Sequence, residues 1–167
     1  MLVLTSAFVA GAAPIVVKVQ YDAKVPTLEF ACSELSAALS AAKLEPVVSV
    51  FEGKGASGSG WTIIVGLLDR MKSLDPAIGK LKLEPEGFAL RPDSGRKVIY
   101  VVGADARGAM YGALDVTEYV EMGGMLYKLK AKTEKPSMSM RALKINMPNW
   151  DSLRIEPDWK DDWDWFL

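Results

Sequence analysis

The sequence predicts an α+β fold: a two-layer sandwich in which a mixed β-sheet of about five to seven strands carries two main helices on one face. Three observations predict it. Short β-branched runs of strand length recur along the chain. Thr27–Ala42 and Ala106–Met122 carry apolar residues at helical spacing. GFALR (87–91) and KVIYVV (97–102) flank Pro92-Asp93-Ser94-Gly95, whose residues favour a turn, so these two strands read as a hairpin. A sheet of this kind hides one face under its helices and must cover or solvate the other.

Ile15–Gln20 (IVVKVQ) reads as the first strand. Pro26-Thr27 offers a helix start with Thr27 as candidate N-cap. Leu28, Ala31, Leu35, Ala38, Leu39 and Ala42 then recur on one face, and their small side chains let the helix lie close to a sheet. Pro46 ends any continuation, and Val47–Phe51 reads as the second strand. Glu52–Gly60 is rich in Gly and Ser and reads as a surface loop. Trp61–Gly66 is a third strand. Leu67–Leu83 is poorly periodic and predicts a short helix or turns around Asp75-Pro76. After the hairpin, Asp105 can cap a helix in which Ala106, Met110, Ala113, Leu114, Thr117 and Val120 face inward, and Gly123-Gly124 stops it. Met125–Lys130 and Met138–Asn146 read as extended.

Composition narrows the chemistry. The 167 residues are 50% hydrophobic and 25% charged, with 20 basic against 21 acidic side chains, an ordinary globular balance. A net charge of −1 gives no electrostatic reason to expect nucleic acid or an anionic membrane as partner. There is no histidine, which excludes Ser-His-Asp triads, Cys-His pairs and His-ligated zinc. Cys32 stands alone and cannot form an intrachain disulfide. Carboxylate, lysine or tyrosine chemistry remains, or none, and no cofactor or metal is expected.

Residues 1–13 (MLVLTSAFVAGAA) are apolar, uncharged and end in small side chains, with Ala10-Gly11-Ala12 matching the A-x-A pattern of a signal-peptidase site. They read as a secretory signal, which places the protein outside the cytoplasm, secreted or periplasmic. No basic residue precedes the run, so a buried first strand is the competing reading. The run is shorter than the ~20 residues a membrane-spanning helix needs.

Candidate sites are few. Val102–Gly108 is a strand–glycine–helix junction of the type that binds phosphate. However, Asp105 stands where a second glycine belongs, so Gly108 and Gly112 read instead as close-packing positions. Arg107 can bind a ligand carboxylate, but the commoner use is pairing with a neighbouring one. Glu118 and Glu121 share a helix face that reads as solvated. Cys32, among Phe30, Ala31 and Leu35, reads as a buried thiol. Beyond residue 136 the chain changes character. Trp150, Trp159, Trp163 and Trp165 cluster there, and the acidic residues after 149 outnumber the basic ones by four. Trp rings can stack on sugars, and Asp161, Asp162 and Asp164 could serve a glycosidase. Those three aspartates sit too close together for an acid–base pair and read better as the acidic first turn of a helix. Trp163, Trp165 and Phe166 then read as that helix's buried face.

The order of the pieces is informative. Glu29-Phe30-Ala31-Cys32-Ser33-Glu34-Leu35 lies in the first helix, Ile64-Val65-Gly66 ends a strand, and Glu86-Gly87-Phe88-Ala89-Leu90-Arg91 opens the hairpin. Val98–Gly112 (VIYVVGADARGAMYG) then runs from strand into helix. This arrangement, from about Ile15 to Gly123, resembles the N-terminal domain that precedes the (β/α)8 barrel in α-glucuronidases (family 67 glycoside hydrolases) and β-hexosaminidases (family 20). The resemblance implies an accessory domain over residues 14–136 with no catalytic residue of its own. Residues 137–167 then look like the start of a barrel, which needs about 250 residues. Arg141–Asn146 resembles its first strand, and Asp161–Leu167 the start of its first helix. Active sites of such barrels lie at the C-terminal ends of the strands. Asn146, Trp150 and Asp151 are therefore the substrate-contacting residues the resemblance implies, with carbohydrate as ligand and the barrel as partner in cis. A stand-alone carbohydrate-binding or protein-interaction module is the alternative.

Overall fold

Strand pairing organises the chain into one six-stranded mixed sheet, ordered β2-β1-β3-β5-β4-β6, in the computed structural model, which describes residues 15–53 and 60–137. The elements are β1 (Ile15–Tyr21), α1 (Pro26–Ala41), β2 (Leu44–Val50), β3 (Trp61–Leu67), α2 (Leu68–Met71), α3 (Pro76–Gly79), β4 (Phe88–Asp93), β5 (Val98–Gly103), α4 (Ala106–Glu121) and β6 (Lys132–Glu134). β2, β1, β3 and β5 run parallel, while β4 is antiparallel to both β5 and β6. The expected α+β sandwich is present, with α1 and α4 together on one face. The hairpin is also present, but its turn is shifted to Ser94–Lys97: Pro92 and Asp93, expected in the turn, end β4 opposite Ile99 and Val98.

Alternation along each strand decides which side chain meets the helices. Val17 and Val19 of β1, Ile63 and Val65 of β3, Phe88 and Leu90 of β4, and Ile99 and Val101 of β5 join Leu28, Leu35 and Leu39 of α1 and Ala113, Val116 and Val120 of α4 in the main core. The intervening residues Ile64, Val98, Tyr100 and Val102 face the other way. They are not left to solvent: Met71 and Ile78, from the single-turn helices α2 and α3, cover them together with Phe51. This explains the poor periodicity of Leu67–Leu83. One turn of helix offers a single inward residue, so no repeat develops. Asp75 caps α3 through the Ala77 N–H at 2.7 Å.

Four local expectations are corrected. The N-cap of α1 is Val25, with no side-chain cap, and Thr27 lies inside the helix because Pro26 takes the first helical position. β2 starts at Leu44 and contains Pro46. Proline is tolerated there because β2 is an edge strand. The Phe51 N–H donates to the Tyr21 carbonyl at 2.8 Å, and counting back by twos turns Pro46's backbone outward, where its missing N–H breaks no ladder bond. The buried face of α4 is rotated from the expected one, with Gly108, Ala109, Gly112, Ala113, Val116, Thr117 and Val120 inward and Met110 and Leu114 only partly covered. Finally, Met125–Lys130 is not extended: Leu126–Lys128 forms a 3₁₀ turn that buries Leu126 against the main core.

The C-terminus of α4 behaves as expected. Gly123 adopts φ +80°, its N–H donates to the Val120 carbonyl, and the Gly124 N–H donates to that of Tyr119, both at 2.9 Å. These are the paired bonds of a Schellman cap. Contacts divide the chain after Ser137, and the second unit, 138–167, lies outside the described residues, as do residues 1–14.

Candidate functional site

The junction of β5 and α4 is the part of the described chain that most resembles a ligand site in sequence. Asp105 occupies the N-cap of α4, and both of its carboxylate oxygens are used. Oδ1 accepts from the Gly108 N–H at 2.9 Å and Oδ2 from the Glu86 N–H at 2.7 Å. One side chain thus caps the helix and fixes the loop entering β4. The Ala104 N–H adds a bond to the Gly87 carbonyl at 2.9 Å. The glycines make this approach possible. A Cβ on Gly108 would run into the Gly87 carbonyl oxygen. One on Gly112 would lie 2.7 Å from Val101 Cγ1, and one on Gly103 2.6 Å from the Ala109 Cβ. The space a phosphate would need at this helix terminus is filled by protein. Gly108 and Gly112 are close-packing positions, as the sequence indicated.

Arg107 pairs with Glu86 at 2.8 Å, a neighbouring carboxylate rather than a ligand. Its side chain is 70% exposed, so solvent screens the pair. Arg107→Ala is expected to lower stability by less than about 1 kcal/mol in urea unfolding. Glu118 and Glu121 are exposed, in keeping with a solvated face. Cys32 is fully buried in the main core, and burial pushes its thiol up to about 12. A thiol so protonated is a poor nucleophile. Native protein at pH 8 should therefore leave Ellman's reagent unreacted, with one thiol appearing after unfolding in guanidinium.

In open parallel sheets, ligands bind beyond the carboxyl ends of strands where the strand order reverses. Here that point lies between β1 and β3. Asp22, at the end of β1, is 3% exposed, accepts from the Lys24 N–H at 3.1 Å and pairs with Arg70 of α2 at 3.4 Å. An ion pair therefore ties the end of β1 to α2 at this position.

Among the described residues, clefts open toward the other end of the sheet, and two of them have distinct linings. The first, about 460 Å³, is apolar and lined by residues including Ile15, Leu44, Trp61, Met125 and Tyr127. The second, about 420 Å³, lies between α4 and the segment leading to β6, with Asp115, Glu118, Tyr119, Lys128, Lys130 and Lys132 on its walls. Lys132 bonds Asp115 at 2.6 Å and Glu134 at 3.0 Å. Partial desolvation works against its charge, but these two carboxylates outweigh it and hold the ammonium above the usual lysine range. Sequence reading did not anticipate either cleft, since the lining residues are scattered from Ile15 to Lys132 and share no motif. Among the described residues no group of three or more His, Cys, Asp or Glu side chains is placed to hold a metal ion. No helix among them is long and apolar enough to cross a membrane. Asn146, Trp150 and Asp151, the sugar-contacting residues expected from the sequence, lie outside the described residues, as do the aspartates and indoles of 159–165.

A mixed sheet carrying two long helices on one face, with the motif between Gly103 and Gly112 spent on internal packing, defines an α+β sandwich domain. The chain belongs to the glycosyl hydrolase family 67 N-terminus, whose family model matches residues 10–116. No curated protein matches it. Among solved structures it is similar to a GH138 enzyme targeting pectin rhamnogalacturonan II, with a TM-score of 0.54 and 21% identity over 75% of this chain. The chain spans 16% of that enzyme's length, and the likeness is one of fold.

Proposed function

We infer that this N-terminal glycoside hydrolase domain is non-catalytic and that it supports an α-glucuronidase-like catalytic (β/α)8 barrel in the same polypeptide. One observation carries the reading. The family motif between Gly103 and Gly112 is taken up by packing and capping, and its carboxylate and guanidinium are bound to partners within the domain. Glycoside hydrolysis needs two carboxyl groups about 5–9.5 Å apart flanking the scissile bond. In this reading later barrel strands supply them, acting on a side chain of a plant-type polysaccharide or oligosaccharide. Asn146, Trp150 and Asp151 meet the sugar from the end of the first barrel strand, where such sites are built. Residues 1–13 direct export.

The purified chain is expected to show no turnover of aryl glucuronides or aryl hexosaminides. Sustained turnover that survives repurification would overturn the non-catalytic assignment. Retention of the isolated chain on an insoluble polysaccharide, lost on Trp150→Ala, would favour the stand-alone binding module instead.

A further inference from the structure

We propose that the cleft between α4 and the segment leading to β6 binds the pyranose rings of an uncharged glycan. Its volume, about 420 Å³, falls within the ~300–1,000 Å³ usual for small-ligand sites. The walls divide by hydrogen-bonding character. Asp115, Glu118 and Tyr119 share one face of α4, three and four residues apart, and the two carboxylates can only accept. Lys128, Lys130 and Lys132 come from the opposite wall, and their ammoniums can only donate. A sugar hydroxyl does both, so neighbouring hydroxyls of one ring can bridge the two walls. Met122, Leu129 and the Tyr119 ring supply apolar surface for the C–H groups of the sugar.

Charge balance selects an uncharged ligand over an anion. Lys132 is held between Asp115 at 2.6 Å and Glu134 at 3.0 Å, so with Glu118, Lys128 and Lys130 the cleft sets three ammoniums against three carboxylates. Glu118, Lys128 and Lys130 form no ion pair among the described residues and keep their acceptors and donors for a ligand. Tyr119 is fixed in place. Its hydroxyl donates to the Met125 carbonyl at 3.3 Å, and its ring lies so close to the Gly124 backbone that a Cβ there would collide with it. A half-buried ring held in this way loses little freedom when a sugar stacks on it. Glu118, Lys128 and Lys130 are exposed to water, so binding is weak, in the millimolar range. The choice of a glycan among hydroxylated ligands rests on membership of the glycoside hydrolase family, whereas the lining requires only a ring with adjacent hydroxyls.

Amide NMR of the isotope-labelled intact chain, titrated into the millimolar range with cellotetraose, xylotetraose, glucose and tetragalacturonate, reads the site directly. At least one neutral tetrasaccharide is expected to give saturable shifts at Tyr119, Gly124 and residues 128–132, little changed between low and high salt. Glu118→Ala and Lys130→Ala, both at exposed positions, are each expected to weaken binding about fivefold, the loss of one hydrogen bond, with an unchanged melt. Trp150→Ala should leave the shifts intact. Absence of saturable shifts with both neutral tetrasaccharides overturns the proposal, as does binding undiminished in both cleft variants. Tighter, salt-sensitive binding of tetragalacturonate would make the cleft an anion site and also overturn it. Glucose binding as tightly as a tetrasaccharide would make the ligand a free sugar, and loss of binding in Trp150→Ala would place the glycan elsewhere; either result ends the assignment. Turnover of aryl glycosides, which tests the non-catalytic assignment, is a separate readout that these shifts do not depend on.

Discussion

Gly108→Ala is expected to destabilise the domain by about 3 kcal/mol or more, the upper end of overpacking effects. The sign makes it a demanding test. Inside a helix, replacing glycine by alanine ordinarily stabilises by about 1 kcal/mol, because alanine is the best helix former. At Gly108 the new Cβ meets a backbone carbonyl, that of Gly87, with the Gly87 and Glu86 carbonyl carbons at 3.0 and 3.1 Å behind it. A flexible side chain could swing away; a carbonyl held by the Ala104 N–H at 2.9 Å cannot. Relief requires α4 to lift from the β4 loop, which disturbs the contacts of Ala109 and Gly112 as well. Urea unfolding followed by circular dichroism reads the result as a midpoint shift. A variant as stable as the parent would mean that the helix does not seat on Gly87 as described.

Asp105→Ala is expected to cost about 3 kcal/mol, from two separable losses. Losing an N-cap costs typically about 1 kcal/mol. Taking the acceptor from a part-buried N–H, here that of Glu86, costs a further 1–3 kcal/mol or so. Asp105→Asn keeps one acceptor oxygen and should recover roughly half of the loss. Asp75 provides the internal control. It caps the single-turn α3 through the Ala77 N–H and its other oxygen meets, among the described residues, only the exposed Arg96 guanidinium, at 3.5 Å, a pair that solvent screens, so Asp75→Ala should cost about 1 kcal/mol or less. If the Asp105 and Asp75 substitutions proved equal in urea unfolding, the second bond of Asp105 would have no energetic role.

These two residues also show where sequence reading stops. That Asp105 caps a helix is local, since a cap needs only the next three residues, and the sequence carried it. That the same carboxylate holds Glu86, 19 positions earlier, requires the hairpin to be closed first. The close packing at Gly108 and Gly112 was legible as a spacing of four on one face, yet the group each glycine meets was not. Thr27 failed as an N-cap because Pro26, with its fixed φ, starts the helix one residue earlier. Pro46 misled in the same way: proline interrupts an interior strand, and only the strand order shows that β2 is an edge. The residues implied by resemblance as sugar contacts, Asn146, Trp150 and Asp151, belong to the unit after Ser137 and are not reached by this structure.

The elements and the fold class are legible in the chain alone. Period-two and period-3.6 patterns, the turn signal at Ser94-Gly95 and the Gly123-Gly124 stop are written in neighbouring residues, and neighbours suffice to set backbone conformation. The absence of histidine likewise narrows the chemistry. Packing of whole faces is what sets Met71 and Ile78 over the second side of the sheet, brings Ile15, Trp61 and Tyr127 to one cleft and leaves β2 as the last strand on its side among the described residues. Each of these depends on strand order, which is set by the burial of whole faces against one another and leaves no short-range pattern in the chain.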